Sequence, residues 1–353
     1  MTKKALIAMS GGVDSSVAAH LMLQQGFNCV GATMQLCSPA LLGQNSNISD
    51  PAADARSVAD RLEMDFFVFD AKTLFQEQVV DRFVSCYEQG GTPNPCIVCN
   101  KRIKFDYLLQ EADKLGCDHI VTGHYAQVTQ DESTGRFLLH KAVDKAKDQS
   151  YFLACLSQEQ LGRVLFPLGE LTKEQVRQIA EEKGFITARK KDSQDICFIP
   201  DGDYVAFMRR YTGKDYTPGD YLDLNGNVVG THQGAISYTI GQRKGLGIAL
   251  GEPVYVCSKD MENNTVTVGP DSALFTDILV ADNWNWISIP ALTEPIRVKA
   301  RIRYRHTEQP ATVYPEENGV ARVIFDEPQR AITPGQAVVL YDEDTVVGSG
   351  TIL

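Results

Sequence analysis

The chain has 353 residues, 43% hydrophobic and 22% charged, the make-up of an ordinary globular protein with room for two or three well-filled domains. No apolar run is long enough to span a bilayer, so no membrane partner is expected. The formal net charge of -11 repels polyanions at long range, so a nucleic-acid partner has to be met by local basic patches.

The opening Met-Thr-Lys-Lys leads straight into an apolar strand pattern, which leaves no room for a secretory signal. A cytoplasmic location is therefore expected, with the nine cysteines as thiols. Residues 5–9 read as a short buried strand and 17–24 as the helix after it. Between them stand Ser10, Gly11, Gly12, Val13, Asp14, Ser15 and Ser16. A strand, a tight turn and a helix N-terminus present free N–H groups and a favourable dipole to an anion. The two glycines let the backbone approach a phosphate, and the serines add donors. The stretch is neither a Walker A loop nor a dinucleotide fingerprint. It resembles the pyrophosphate loop of enzymes that split ATP between the α- and β-phosphates, which implies adenylation of an acceptor. A glycine turn with a serine cap is the plainer reading.

Residues 27–36 read as a second strand, and Met34 near its end either packs on an adenine ring or fills the core. Residues 37–51 read as a surface loop, 54–62 as a helix, 66–69 as a short buried strand and 73–87 as a helix. This alternation predicts an α/β domain with a parallel sheet covered on both faces. Next comes Thr-Pro-Asn-Pro-Cys-Ile-Val-Cys-Asn, residues 92–100, an irregular loop from which a helix is expected to run from about Cys99 to 115. A thiol at a helix start, followed by Lys101, Arg102 and Lys104, is expected to shift toward thiolate. The Cys-x-x-Cys has no second pair for a structural zinc, and the prolines before it speak against a thioredoxin-type couple. Cys29 and Cys155 lie in apolar runs and read as inert core residues.

Residues 119–122 form the next expected strand, ending at Gly123 and His124 on the nucleotide side; His124 touches substrate or is structural. Residues 125–143 read as a hairpin, and Lys147, Asp148 and Gln149 as either a phosphate contact or a polar loop. A helix over 172–183 is signalled by the Thr172–Gln175 capping box and the Gly184 stop. Cys197 follows a polar run (190–195) and, alone, reads as half-buried between Ile196 and Phe198. From about Tyr204 glycines multiply and short alternating runs replace βα units, as in small β domains. Residues 231–247 are basic and glycine-rich, and wrap a phosphate backbone or merely connect strands. A further boundary falls near Thr276. Over 297–305 five cations occupy every odd position, which in a strand makes one face wholly basic and favours an RNA or DNA backbone contact.

Together, SGGVDSS, TPNPCIVCN-KRIKF, TGHYA, KDQSYFL, DICFIP, YTIGQRKGLG, RYRH and TPGQ resemble the bacterial tRNA-specific 2-thiouridylase family along essentially the whole chain. The resemblance implies three parts: a parallel-sheet pyrophosphate-loop domain (1–203), a small central β-rich tRNA-binding domain (204–275) and a C-terminal β-barrel-like domain contacting tRNA (276–353). It implies that Ala8, Met9, Ser10, Gly11, Gly12, Val13, Asp14, Ser15, Met34 and Gly123 bind ATP, taken with Mg2+. The wobble-uridine C2 oxygen of tRNA would be adenylated and replaced by sulfur. Cys197 would receive a persulfide from a sulfur-relay or cysteine-desulfurase donor. Cys99 would be the nucleophile and disulfide partner of Cys197. Asn94, Pro95 and Cys96 would meet the target base, and His124, Lys147, Asp148, Gln149, Arg303, Tyr304 and Gln336 the rest of the tRNA. Cys96 departs from a family pattern that often has aspartate there. Cys96, Cys99 and Cys197 as ligands of a [4Fe–4S] cluster is thus a second reading. An ATP-pyrophosphatase ligase or amidotransferase acting on a small molecule, and a non-catalytic tRNA-binding protein, are the readings from other classes.

Overall fold

The computed structural model describes residues 3–42, 51–188 and 196–353. Most of the expected surface loop at 37–51 and the polar run at 190–195 lie outside the described residues. The first seven strands are β1 (Lys4–Ala8), β2 (Asn28–Gln35), β3 (Phe66–Asp70), β4 (His119–Val121), β5 (Gln127–Gln130), β6 (Phe137–His140) and β7 (Val164–Leu165). Five of them build a parallel sheet in the order β3-β2-β1-β4-β7. β1 reads as a continuous apolar run because both of its faces are covered. Leu6 packs on one side with Phe105, Leu108 and Ile120. Ala5 and Ile7 pack on the other with Val17, Ala18 and Met22 of the first helix, α1 (Val13–Gln24). The chain leaves β1 toward β2 on one side and returns to β4 on the other. That reversal opens a crevice at the carboxyl ends of β1 and β4, where ligands of open α/β sheets bind.

Three expectations change. α1 starts at Val13, not at 17, so Asp14 and Ser15 lie in its first turn. β3 is an edge strand, and Phe67 and Val68 are 39% and 38% exposed rather than buried. The helix expected from Cys99 begins at Pro95 and runs continuously to 114. Proline is tolerated in a first helical turn, which lacks intrahelical N–H bonds anyway. Both this helix and the one over 72–88 carry a π-type segment, at Asn100–Tyr107 and Gln76–Val80, a distortion frequent at functional sites.

A helix (Tyr204–Thr212) leads into β8 (Gly219–Leu222), β9 (Val228–His232), β10 (Tyr255–Asp260) and β11 (Thr265–Gly269), a four-stranded sheet in the order β10-β11-β8-β9. Then come β12 (Phe275–Trp286), β13 (Ile296–Arg301), β14 (Gln309–Pro315), β15 (Ala321–Arg330), β16 (Ala337–Asp342) and β17 (Thr345–Ile352). They pair antiparallel in the order β12-β15-β14-β13-β16-β17, and β17 pairs back onto β12 to close a six-stranded barrel. Closure removes the exposed strand edges. The expected hairpin is present as β5–β6, and His140 pairs with Thr345 to fasten it to β17. The Thr172–Gln175 capping box is present and caps the helix Lys173–Glu182.

Burial holds all six histidines below their ordinary pKa. For His124 the effect is largest: its ring lies between Phe105 and Phe166 and shares a 2.7 Å hydrogen bond with Thr122 Oγ1. A histidine that resists protonation when folded stabilises the fold fully above its unfolded pKa of 6.5, and that contribution is lost as pH falls below it. Urea unfolding is expected to show stability declining from pH 6.5 downward. In His124→Gln the decline is shallower, by up to about 1.4 kcal/mol per pH unit. An unchanged slope in that variant would refute the assignment.

Candidate nucleotide and thiol site

Gly11 adopts a positive φ of 69° and Gly12 caps α1 in extended conformation, so the chain reverses within two residues. The loop is braced from within. Ser10 N–H donates to Ser15 Oγ (3.2 Å), while Ser15 and Ser16 hydroxyls donate to the Gly12 carbonyl (3.1 and 2.9 Å). Ser16 is also tied to Thr187 (3.1 Å) and is buried, so it supports the loop rather than facing a ligand. Met9 and Val13 point into the core, which leaves only their backbones for a ligand; Ser10 is exposed. Gly123 closes the crevice from β4. A Cβ there would lie 2.7 Å from the Asp14 carbonyl carbon and from the Ser15 nitrogen. Those are backbone atoms and cannot swing away. Gly123→Ala is therefore expected to displace the loop, lose about 1–3 kcal/mol of stability and weaken ATP binding, as calorimetry would register. Unchanged affinity would contradict this packing. Met34 is partly buried and touches two apolar clusters at the end of β2, so it both fills space and borders the crevice.

Asp14 is held by residues that its own segment does not announce. Lys173 Nζ donates to both carboxylate oxygens at 2.8 Å and Tyr125 O–H to one of them at 2.8 Å. Lys173 is 8% exposed and stands in the first turn of its helix, where the dipole disfavours a cation. That misfit is the one sequence signal for it. The pair places a cation and an anion beside the loop where phosphates would arrive.

The thiols gather beyond the end of β2. Cys37, Cys99 and the residues flanking Cys197 (Ile196 and Phe198) share one apolar cluster. The neighbouring Cys197 and burial push the Cys37 thiol up. Cys37, Lys104 and two backbone N–H groups favour thiolate at Cys197, outweighing its desolvation. Two anions side by side are costly, so Cys37 keeps its proton. The expectation of a lowered pKa at Cys99 is overturned. One turn inside its helix and 8% exposed, its thiol is pushed up to about 12 by burial, against the pull of Lys104. Cys197 is exposed rather than half-buried. Cys96 is also exposed, yet its thiol is shifted up by desolvation, with Lys104 acting against it. Cys29 and Cys155 are core residues with raised pKa values, about 11 and about 12.

Among the described residues no three His, Cys, Asp or Glu side chains are arranged to hold a metal ion. The thiols as placed, with Cys99 enclosed and Cys96, Cys99 and Cys197 not gathered into one such group, do not fit the [4Fe–4S] reading.

The residues expected on tRNA fall into two groups. His124 and Asp148 are 9% and 5% exposed, so neither is a surface contact. Asp148 accepts from Ala142 N–H (3.0 Å), Ser150 N–H (3.2 Å) and Ser150 O–H (2.8 Å), and so shapes its turn. Gln149 is partly buried, and its side-chain oxygen accepts from Tyr125 N–H at 3.0 Å. Gln336 Nε2 donates to the Thr92 carbonyl at 2.8 Å and Thr92 N–H to that of Pro334 at 2.8 Å, so the barrel holds the loop that carries Asn94 and Cys96. Asn94 is partly exposed and Pro95 is buried. The wholly basic strand face is also corrected, because neighbouring segments supply acids. Arg297 is paired with Asp326, Lys299 lies 3.6 Å from Glu343, and Arg301 lies 3.9 Å from Asp148. The strand ends at Arg301. Beyond it Arg305 is exposed, Arg303 is partly buried and donates to the Arg330 carbonyl at 3.1 Å, and Tyr304 packs on Phe152. Lys147, Arg301 and Arg305 act electrostatically on the Tyr304 hydroxyl. The basic surface is a corner, not a face.

Comparison with known proteins gives three family models in succession: a tRNA methyl transferase HUP domain over residues 3–201, a tRNA methyl transferase PRC-barrel domain over 205–270 and an aminomethyltransferase beta-barrel domain over 276–352. A tRNA-specific 2-thiouridylase of Acetivibrio thermocellus is 50% identical over 99% of this chain and 99% of its own length. One from Clostridioides difficile is 47% identical over 100% and 98%, and one from Carboxydothermus hydrogenoformans 48% over 99% and 97%.

Proposed function

The chain belongs to the tRNA-specific 2-thiouridylase family, and from that footing we propose how its residues divide the reaction between them. The protein is an ATP-dependent tRNA-uridine 2-sulfurtransferase. A carbonyl oxygen is a poor leaving group. Transfer of AMP to the uridine C2 oxygen, with loss of pyrophosphate, turns it into a good one that sulfur can displace. The observation that carries our division of labour is convergence. The ends of β1, β2 and β4 deliver the glycine loop, Met34 with Cys37, and Gly123 to one edge of the sheet, and Cys99 with Ile196 and Phe198, the residues flanking Cys197, packs against the same edge.

ATP, taken as its magnesium complex, lies with its phosphates on residues 8–15, its base against Met34 and the backbone of Gly123 alongside. Lys173 neutralises Asp14 until the phosphates and their cation arrive. Cys197, favoured as thiolate, accepts sulfane sulfur from a donor protein as a persulfide. Cys99 is enclosed, and as nucleophile it needs the pocket to open on tRNA binding. Asn94 and Cys96 face the target base. Lys147, Gln149, Arg303, Tyr304 and Gln336 form the tRNA rim, the glutamines exchanging their present partners for RNA. The parts are residues 1–203 for adenylation, and 204–275 and 276–353 for holding tRNA in the cytoplasm. No helix among the described residues is long and apolar enough to cross a membrane.

Pyrophosphate release tests this reading. It is expected only when ATP is supplied together with tRNA bearing a wobble uridine. Release with a small acceptor and no tRNA would favour a ligase; no release under any condition would leave a tRNA-binding protein.

A further inference from the structure

Asn100 is buried, at 2% exposed, and half of its amide is unmatched. Its Nδ2 donates to the Phe152 carbonyl at 3.1 Å, whereas its Oδ1 is enclosed with no hydrogen-bond partner among the described residues. The first bond fixes which end of the amide is which, so the unmatched group is an acceptor. Buried acceptors are nearly always paired, and one left open calls for a donor from outside the chain.

Its place in the fold narrows the donor. The Asn100 N–H donates to the Cys96 carbonyl, so Asn100 stands one α-turn below Cys96 on the same helix face and leans back toward it. Phe152, which takes the amide hydrogen bond, belongs to the helix Ser150–Leu153 just after Lys147, Asp148 and Gln149, and packs on Tyr304 with ring centroids 4.4 Å apart. The amide therefore lies between the turn that faces the target base and the rim that holds the RNA. The pairing edge of uracil offers two carbonyl oxygens and a single donor, N3–H.

We infer that the Asn100 carbonyl oxygen accepts the N3–H of the target uridine and so reads uracil against cytosine. The inference rests on the wobble-uridine reaction proposed above. Cytosine carries the same C2 oxygen but a bare lone pair at N3, which would meet the Asn100 oxygen acceptor to acceptor. N3 adjoins C2, so the contact also sets the angle at which the C2 oxygen meets the α-phosphate. Donation from N3–H leaves more electron density on that oxygen. Asn100 is enclosed, so the base reaches it through the same opening that Cys99 needs.

The test compares pyrophosphate release by the full-length protein on one tRNA carrying either uridine or cytidine at the wobble position. Asn100→Leu nearly keeps the volume and loses the acceptor. It is expected to lower kcat/KM for the uridine tRNA about tenfold to a hundredfold. The value for the cytidine tRNA is expected to hold or rise, so the preference narrows by about tenfold or more. A purely structural role would lower both together, and a uridine preference as large as in wild type overturns the inference. A second measurement needs no variant. An anticodon stem-loop isotope-labelled at N3 of the wobble uridine is followed by NMR with wild-type protein, ATP being omitted so that the base stays unmodified. Its imino proton exchanges rapidly with water in the free loop and is expected to become visible and protected in the complex. A proton that still exchanges freely at saturation overturns the inference. If wild type releases no pyrophosphate with the uridine tRNA, the reaction proposed above fails, and this inference with it.

Discussion

Cys197→Ser is expected to abolish 2-thiouridine formation, by roughly a thousandfold or more, while tRNA-dependent pyrophosphate release stays within about threefold of wild type. The separation follows from the architecture. Adenylation uses the loop after β1 and the end of β4, braced by Ser15, Tyr125 and Lys173. Sulfur handling uses Cys197, which leans on Cys37 and Lys104 and shares no hydrogen bond with the loop among the described residues. Serine matches cysteine in shape but cannot hold a sulfane sulfur, so the adenylated tRNA has nothing to react with except water. Pyrophosphate and thionucleoside measured in the same reaction decide the point. Loss of both together would mean that the thiol shapes the nucleotide site. Retention of both would remove Cys197 from the chemistry.

Lys173→Met is expected to have the second large effect, on the other half-reaction. Methionine keeps much of the aliphatic length but leaves Asp14 with Tyr125 and no cation beside the incoming phosphates. Pyrophosphate release should fall roughly a hundredfold or more, in the range seen when a preorganised charge is removed from a site. Stability should fall as well. Breaking a fully buried ion pair costs about 3–5 kcal/mol, but the Asp14 side chain is 29% exposed, so a loss of about 1–3 kcal/mol is more in keeping. The double variant Asp14→Asn/Lys173→Met should recover part of the stability, because the unpaired charge is gone, without recovering pyrophosphate release. Urea unfolding and a pyrophosphate assay separate the two effects. Wild-type release by Lys173→Met would show that the ion pair is only a brace.

Short-range signals were legible in the sequence and cross-chain ones were not. The glycine loop, the Thr172 capping box and the β5–β6 hairpin depend on neighbours within a few residues, and each is present where its pattern placed it. The parallel sheet followed from βα alternation. Lys173 was missed because its partner is 159 residues away, although a lysine in the first turn of a helix was a visible anomaly. The basic strand was misread for the same reason. Arg297 and Lys299 alternate with core residues as expected, but Asp326 and Glu343 come from other segments of the barrel. Cys99 was misplaced by four residues of helix start, enough to exchange a favourable N-terminus for a buried second turn.

The central claim is that one site joins ATP cleavage to sulfur insertion at a wobble uridine. It is tested most directly by retardation of tRNA in a mercury-containing gel after incubation with the protein, ATP and a sulfur source. Retarded tRNA is expected from wild type, with none when ATP is omitted or when the wobble uridine is replaced by cytidine. Unretarded tRNA in the complete reaction, with a sulfur source and tRNA that a known 2-thiouridylase can use, would contradict the account.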